Sequence, residues 1–103
     1  MESQFLPIGS VVQLKNSTAC VMIAGYLPTG PSRPGYVWDY SGMKFPLGYV
    51  ADNEIYCFDQ DQIETVHALG YQDQEQFAFI RSMNYTAEKI KAETMAREGQ
   101  NQQ

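Results

Sequence analysis

Polar and apolar residues alternate with a period of two over Val11-Val12-Gln13-Leu14-Lys15, where Val12 and Leu14 share one face and Gln13 and Lys15 the other. This is the pattern of a half-buried strand. Asn16-Ser17-Thr18 supplies a polar turn, and Ala19 to Leu27 has the length and β-branched content of a second strand, so the two are predicted to form a hairpin. In this second strand Val21, Ile23 and Leu27 fall on one face and Cys20, Met22 and Tyr26 on the other, so both faces are apolar. Strands of this kind lie where both sides of a sheet are covered. In a chain with residues for one core, the second cover is either the C-terminal helices or another protein.

Pro28 to Gly35 holds three of the five prolines and reads as a surface loop. From Gly35 to Tyr49 the pattern centres on Tyr36, Trp38 and Tyr40, which alternate with Val37, Asp39 and Ser41. A central strand here would set three aromatic rings on one face. Gly42, Pro46 and Gly48 then bend the backbone, with Phe45 and Tyr49 carrying the aromatic supply past the bend. Ile55-Tyr56-Cys57-Phe58 reads as a short strand, Asp59 to Gln62 as one capped helical turn, and Ile63 to Leu69 as a last strand or continued helix. Asp73 and Gln76 have capping-box spacing for a helix over about 74–84, with Phe77, Ile80 and Asn84 on one line and Phe79 and Met83 beside it. Thr86 to Glu98 reads as a second helical segment with little to bury, ended by Gly99 and followed by a frayed polar tail, Gln100 to Gln103. The fold class expected is α+β: four or five antiparallel strands as a bent sheet or small SH3-like open barrel, then one or two C-terminal helices. A compact domain is placed at residues 1–85 and a helical extension at 86–103.

With 103 residues, 44% hydrophobic and 18% charged, the chain has the composition of one folded domain. Seven Lys and Arg against twelve Asp and Glu give a net charge of −5. Between Lys44 and Arg81 there is no Lys or Arg, whereas Asp52, Glu54, Asp59, Asp61, Glu64, Asp73 and Glu75 fall in that interval. Affinity for nucleic acid and anionic membranes comes from Lys and Arg, so this surface repels both and favours a basic protein partner. Cys20 and Cys57 have no metal-ligand spacing and read as reduced, packed thiols. Met1-Glu2-Ser3-Gln4 lacks a basic signal-peptide start, and the longest apolar run, Ala19 to Ala24, is too short for a membrane span, so a cytoplasmic protein is expected.

Candidate chemistry adds little. His67 is the single histidine, flanked by Thr65 and Leu69, in a setting that reads as structural. Asp59 and Asp61 have the spacing that opens a calcium loop, but the positions requiring Gly and a bidentate acid hold Glu64 and Gly70. No phosphate loop or nucleophile constellation is visible, so neither an enzyme nor a cofactor is expected. The aromatic set around Tyr36, Trp38 and Tyr40 is the unusual concentration, and it reads either as the core of a thin sheet or as a binding patch.

An ordered series of segments carries a resemblance: Phe5 to Lys15, Val21-Met22-Ile23-Ala24-Gly25, Tyr36 to Gly42, Phe45-Pro46-Leu47-Gly48-Tyr49, then Phe58-Asp59 with Asp61, Ile63 and Gly70-Tyr71. Over about residues 5–80 the chain resembles a small uncharacterised-domain family encoded beside LXG toxins of the Gram-positive type VII secretion system. The resemblance implies a non-enzymatic cytoplasmic chaperone or targeting factor that binds a cognate LXG-domain toxin before export, with another secretion-system protein as the alternative partner. On that reading Tyr36, Trp38 and Tyr40 are the expected contact residues, and Asp59 and Asp61 belong to the acidic surface that steers the encounter. Two other classes of function stay open: an immunity protein that neutralises a toxin, and a self-associating structural module.

Overall fold

The computed structural model describes residues 5–101, with side chains described through residue 93. Five strands form one antiparallel sheet: β1 (Val11–Leu14), β2 (Cys20–Tyr26), β3 (Tyr40–Lys44), β4 (Ile55–Phe58) and β5 (Ile63–Ala68). Their spatial order is β4-β3-β2-β1-β5, so the first four make a meander and β5 joins the far side of β1. The expected first hairpin is present, with Val12 opposite Val21.

The link from β4 to β5 fixes the shape. It consists of Asp59 and the 3₁₀ turn Gln60–Gln62. At about 2 Å rise per residue, such a turn carries the chain roughly 10 Å. Five strands at about 4.8 Å spacing would hold the two edges roughly 19 Å apart in a flat sheet. The sheet must therefore curl until the end of β4 lies near the start of β5. It is an open, bent sheet: the short link joins the end of β4 to the start of β5, and the two strands make no ladder with each other.

Side chains that point into the curl form the core: Val12, Val21, Ile23, Tyr40 and Phe58, with Phe5, Leu6, Leu14, Ala19, Tyr26, Tyr56 and Ile63 packed against them. The second strand departs from simple alternation. A bulge between Ile23 and Gly25 in its pairing with β3 shifts the phase, so Tyr26 joins Val21 and Ile23 on the inner side instead of facing away with Met22. Gly42 makes the tight inner packing possible, since a Cβ there would lie 2.5 Å from Val21 Cγ1 and 2.7 Å from the Met22 carbonyl oxygen. Any larger residue would push β2 and β3 apart.

One helix, α1 (Gln74–Asn101), follows the sheet. Its start is the capping arrangement expected from the sequence, with the Gln76 N–H donating to Asp73 Oδ1 at 2.9 Å. Of the one or two helices expected, one is present: it runs unbroken through Asn84-Tyr85-Thr86, which contains no Pro or Gly and lies between buried Ile80 and Ala87. Gly99, expected to end a helical segment, lies within this helix. The docked side keeps Ile80 and Asn84 from the expected line and extends it to Ala87 and Lys91; half-exposed Phe79 meets the Tyr26 ring at 6.0 Å, and Phe77 lies with Phe5 and Ile80 in a cleft. The tail residues Gln102 and Gln103 lie outside the described residues, as do Met1 to Gln4.

Candidate partner-binding site

The aromatic stretch is divided by the fold. Tyr36 and Trp38 lie before β3, in an irregular continuation of the β2–β3 ladder where Leu27 N–H donates to the Asp39 carbonyl at 3.0 Å and Trp38 N–H to the Pro28 carbonyl at 2.9 Å. The strand itself begins only at Tyr40. Leu27 takes a left-handed conformation, with φ of 56°, and this turns the ladder away from regular pairing. Tyr36 and Trp38 meet edge to face at 4.9 Å, whereas Tyr40 turns inward to pack on Phe5, Tyr26 and Phe58. Tyr40 has no exposed surface, so it is a core residue and offers nothing to a partner in the folded protein. The expected face of three rings is therefore not formed: Tyr40 is in the core, and Tyr36 and Trp38 are half-buried outside β3, with Trp38 Nε1 buried and unpaired.

Around Tyr36 the polar groups form a closed set. Asp39 and Asp59 cap each other's backbone: Asp39 N–H donates to Asp59 Oδ1 at 2.9 Å, and Gln60 N–H to Asp39 Oδ2 at 2.7 Å. Lys91 reaches down from α1 to both carboxylates, 2.6 Å from Asp39 and 3.5 Å from Asp59. The Tyr36 hydroxyl donates to Asp59 Oδ2 at 2.5 Å, and the Arg33 guanidinium lies 3.9 Å above the Tyr36 ring. Burial first, and then the negative charge and hydrogen bond of Asp59, push the Tyr36 phenol up to about 12. The role of Asp59 is thus mainly structural: its side chain is 17% exposed and fully engaged. Asp61, two residues on, is exposed on the 3₁₀ turn and remains available for long-range attraction.

A groove of about 330 Å³ lies beside this network, lined by Phe5, Asp39, Gln60, Asn84, Ala87, Glu88 and Lys91. Two of its charged residues, Asp39 and Lys91, pair with each other. Among the described residues no group of three His, Cys, Asp or Glu side chains is placed to hold a metal ion. None of the helices among them is long and apolar enough to cross a membrane.

The sequence reading singled out Phe45 and Tyr49 for their rings but missed how far the β3–β4 connection opens to solvent. There Phe45, Leu47, Tyr49 and Val50 stand 48%, 62%, 57% and 58% exposed within six residues. The signal was present in Phe-Pro-Leu-Gly-Tyr-Val, a loop with no charged residue in it. A second exposed apolar group, Ile8, Leu69 and Tyr71, lies where β5 hands over to the helix.

An open, bent five-stranded sheet followed by one helix, with apolar connections open to solvent, defines a small α+β domain. The chain matches the family described as a domain of unknown function, DUF4176, over residues 5–79, and belongs to it. No curated protein and no solved structure matches the chain.

Proposed function

We propose that this protein is a non-enzymatic chaperone or targeting factor that binds a cognate LXG-domain toxin in the cytoplasm before type VII secretion. The observation that supports a binding role is the exposure of large apolar side chains on a small acidic domain, above all Phe45, Leu47, Tyr49 and Val50. The choice of an LXG toxin as partner rests on the ordered sequence resemblance. An acidic surface suits a basic partner, and apolar connections suit the cover of an aggregation-prone segment.

Trp38, beside Tyr36 on the β2–β3 connection, is a contact residue in this reading. Its replacement by Ala weakens toxin binding by about 2 kcal/mol if it is a binding hot spot. The decisive experiment co-expresses the protein with the LXG protein encoded nearest to it, followed by affinity capture and size-exclusion chromatography. A stable complex through the toxin's export region, or one needed for its solubility, is the expected result. No complex, or a complex confined to the toxic region that abolishes toxicity, overturns it, the latter in favour of an immunity protein.

A further inference from the structure

The outer side of the curled sheet bears an apolar row that the core does not use. Met22 pairs with Met43 and Met43 with Ile55, so these three lie in line across β2, β3 and β4 on the side away from Val21, Gly42 and Tyr56. Phe45, one step beyond β3, donates its N–H to the Cys20 carbonyl at 2.8 Å and so continues the ladder on the same side as Met43. Leu47 and Val50, in the connection that leads from Phe45 back to Ile55, are also exposed and apolar.

We propose that this row and the β3–β4 connection form a docking site for an amphipathic helix of a protein partner, apolar on one face and flanked by Lys and Arg. The inference rests on the partner-binding reading above and names the surface and the class of segment it takes. Side chains in line across neighbouring strands repeat at about 4.8 Å, close to the roughly 5.4 Å repeat of a ridge on an α-helix. Such a row presents successive knobs to successive helical turns. Methionines suit it, because their flexible thioethers adapt to partner side chains.

Charge selects among possible occupants. The 3₁₀ turn Asp52–Glu54 stands beside Ile55 with Asp52, Asn53 and Glu54 all exposed; Lys44, at the end of β3, borders the row, and no Lys or Arg follows it until Arg81. A second copy would bring the same acidic rim against itself, and an anionic lipid surface would be repelled. A helix with basic flanks gains from the same charges. The free edges of the sheet are poorer sites for an added strand: β5 carries two register irregularities and Glu64, and β4 has four residues.

The test uses the full chain and a labelled synthetic peptide of about 18 residues, long enough to form a helix, with Leu on one face and Lys on the other. A peptide of the same composition with the pattern scrambled is its control. Fluorescence anisotropy is expected to show binding of the amphipathic peptide about tenfold or more tighter than the scrambled one. The triple variant Leu47→Ser, Val50→Ser, Ile55→Ser, with its fold verified by circular dichroism, is expected to lose that difference. The single variant Leu47→Ser, at the most exposed of the three positions, serves if the triple variant does not fold, with a smaller loss in the same direction. Equal binding of the two peptides, or unchanged binding by the folded variants, overturns the proposal. So does concentration-dependent dimerisation of the wild type that the variants disperse, or binding to phosphatidylserine vesicles that they abolish. The same variants in the toxin co-expression separate the two readings: a toxin complex indifferent to them removes this surface and leaves the function, whereas patterned peptide binding with no toxin complex leaves the surface and removes the toxin.

Discussion

Tyr40 is a point where one side chain joins three parts of the chain. Its ring packs on Phe5, Tyr26 and Phe58, its oxygen accepts the Leu6 N–H at 2.9 Å, and its hydroxyl donates to Gln60. Tyr40→Phe keeps the ring and leaves the Leu6 N–H and the Gln60 carbonyl without that partner, so a loss of about 1–3 kcal/mol is expected in urea denaturation. Burial also raises the Tyr40 phenol well above 10, as it raises Tyr36 to about 12. A phenol that ionises less readily in the folded state contributes stability that is complete below the unfolded value near 10 and is lost as the pH rises through the folded value. The urea midpoint is therefore expected to hold steady up to about pH 9 and to fall between about pH 10 and 12, less steeply in Tyr40→Phe; a midpoint level across that range would contradict the burial of both phenols. That Tyr36, Trp38 and Tyr40 concentrate aromatic rings in this stretch was legible from their alternation. Which of them turn inward was not, because the left-handed Leu27 and the bulge near Gly25 reset the phase, and neither has a signature in hydrophobic periodicity.

At the scale of the element, α1 shows what periodicity can and cannot tell. Its start was legible, since Asp73 and Gln76 form a local cap. Its docked side was legible at Ile80, Asn84 and Phe79 but not at Ala87 and Lys91, where the sheet's end presents Asp39, Gln60 and Phe5 and takes a small residue and a cation. The helix thus passes the weak stretch at Asn84-Tyr85-Thr86 because Lys91 ties the following turns to Asp39 and Asp59. Lys91→Met keeps most of the stem and removes the cation, leaving two half-buried carboxylates close together. With both partners partly exposed, the expected cost is about 1 kcal/mol, between the values of surface and buried pairs. Hydrogen exchange is the sharper readout: protection of the amides from about residue 86 to 93 should fall while that of β2 and β3 stays unchanged. Equal loss in both would mean that the helix and sheet unfold as one unit, and no change would mean that Lys91 does not hold the helix down.

For the whole molecule, the strands were legible one by one, but the curl follows from the brevity of the β4–β5 link, and that became an argument only once β5 was known to pair with β1. The same closure decides which acids can act at a distance. Asp59 is drawn into the network with Tyr36, Asp39 and Lys91, so reversing its charge would damage the fold and any change in binding would be uninterpretable. Asp61 and Glu64, one on the 3₁₀ turn and one on the edge strand, are exposed and lie in the long interval without Lys or Arg. The double reversal Asp61→Lys, Glu64→Lys changes the net charge from −5 by four, to −1, with little effect on stability expected at exposed positions. If the acidic surface steers a basic partner, the association rate with the toxin at low salt should fall about tenfold and its dependence on ionic strength should flatten, while dissociation changes little. Stopped-flow or surface-capture kinetics at two salt concentrations reads both rates. An unchanged association rate would remove steering as the role of this charge, and a faster dissociation would instead place Asp61 or Glu64 inside the contact itself.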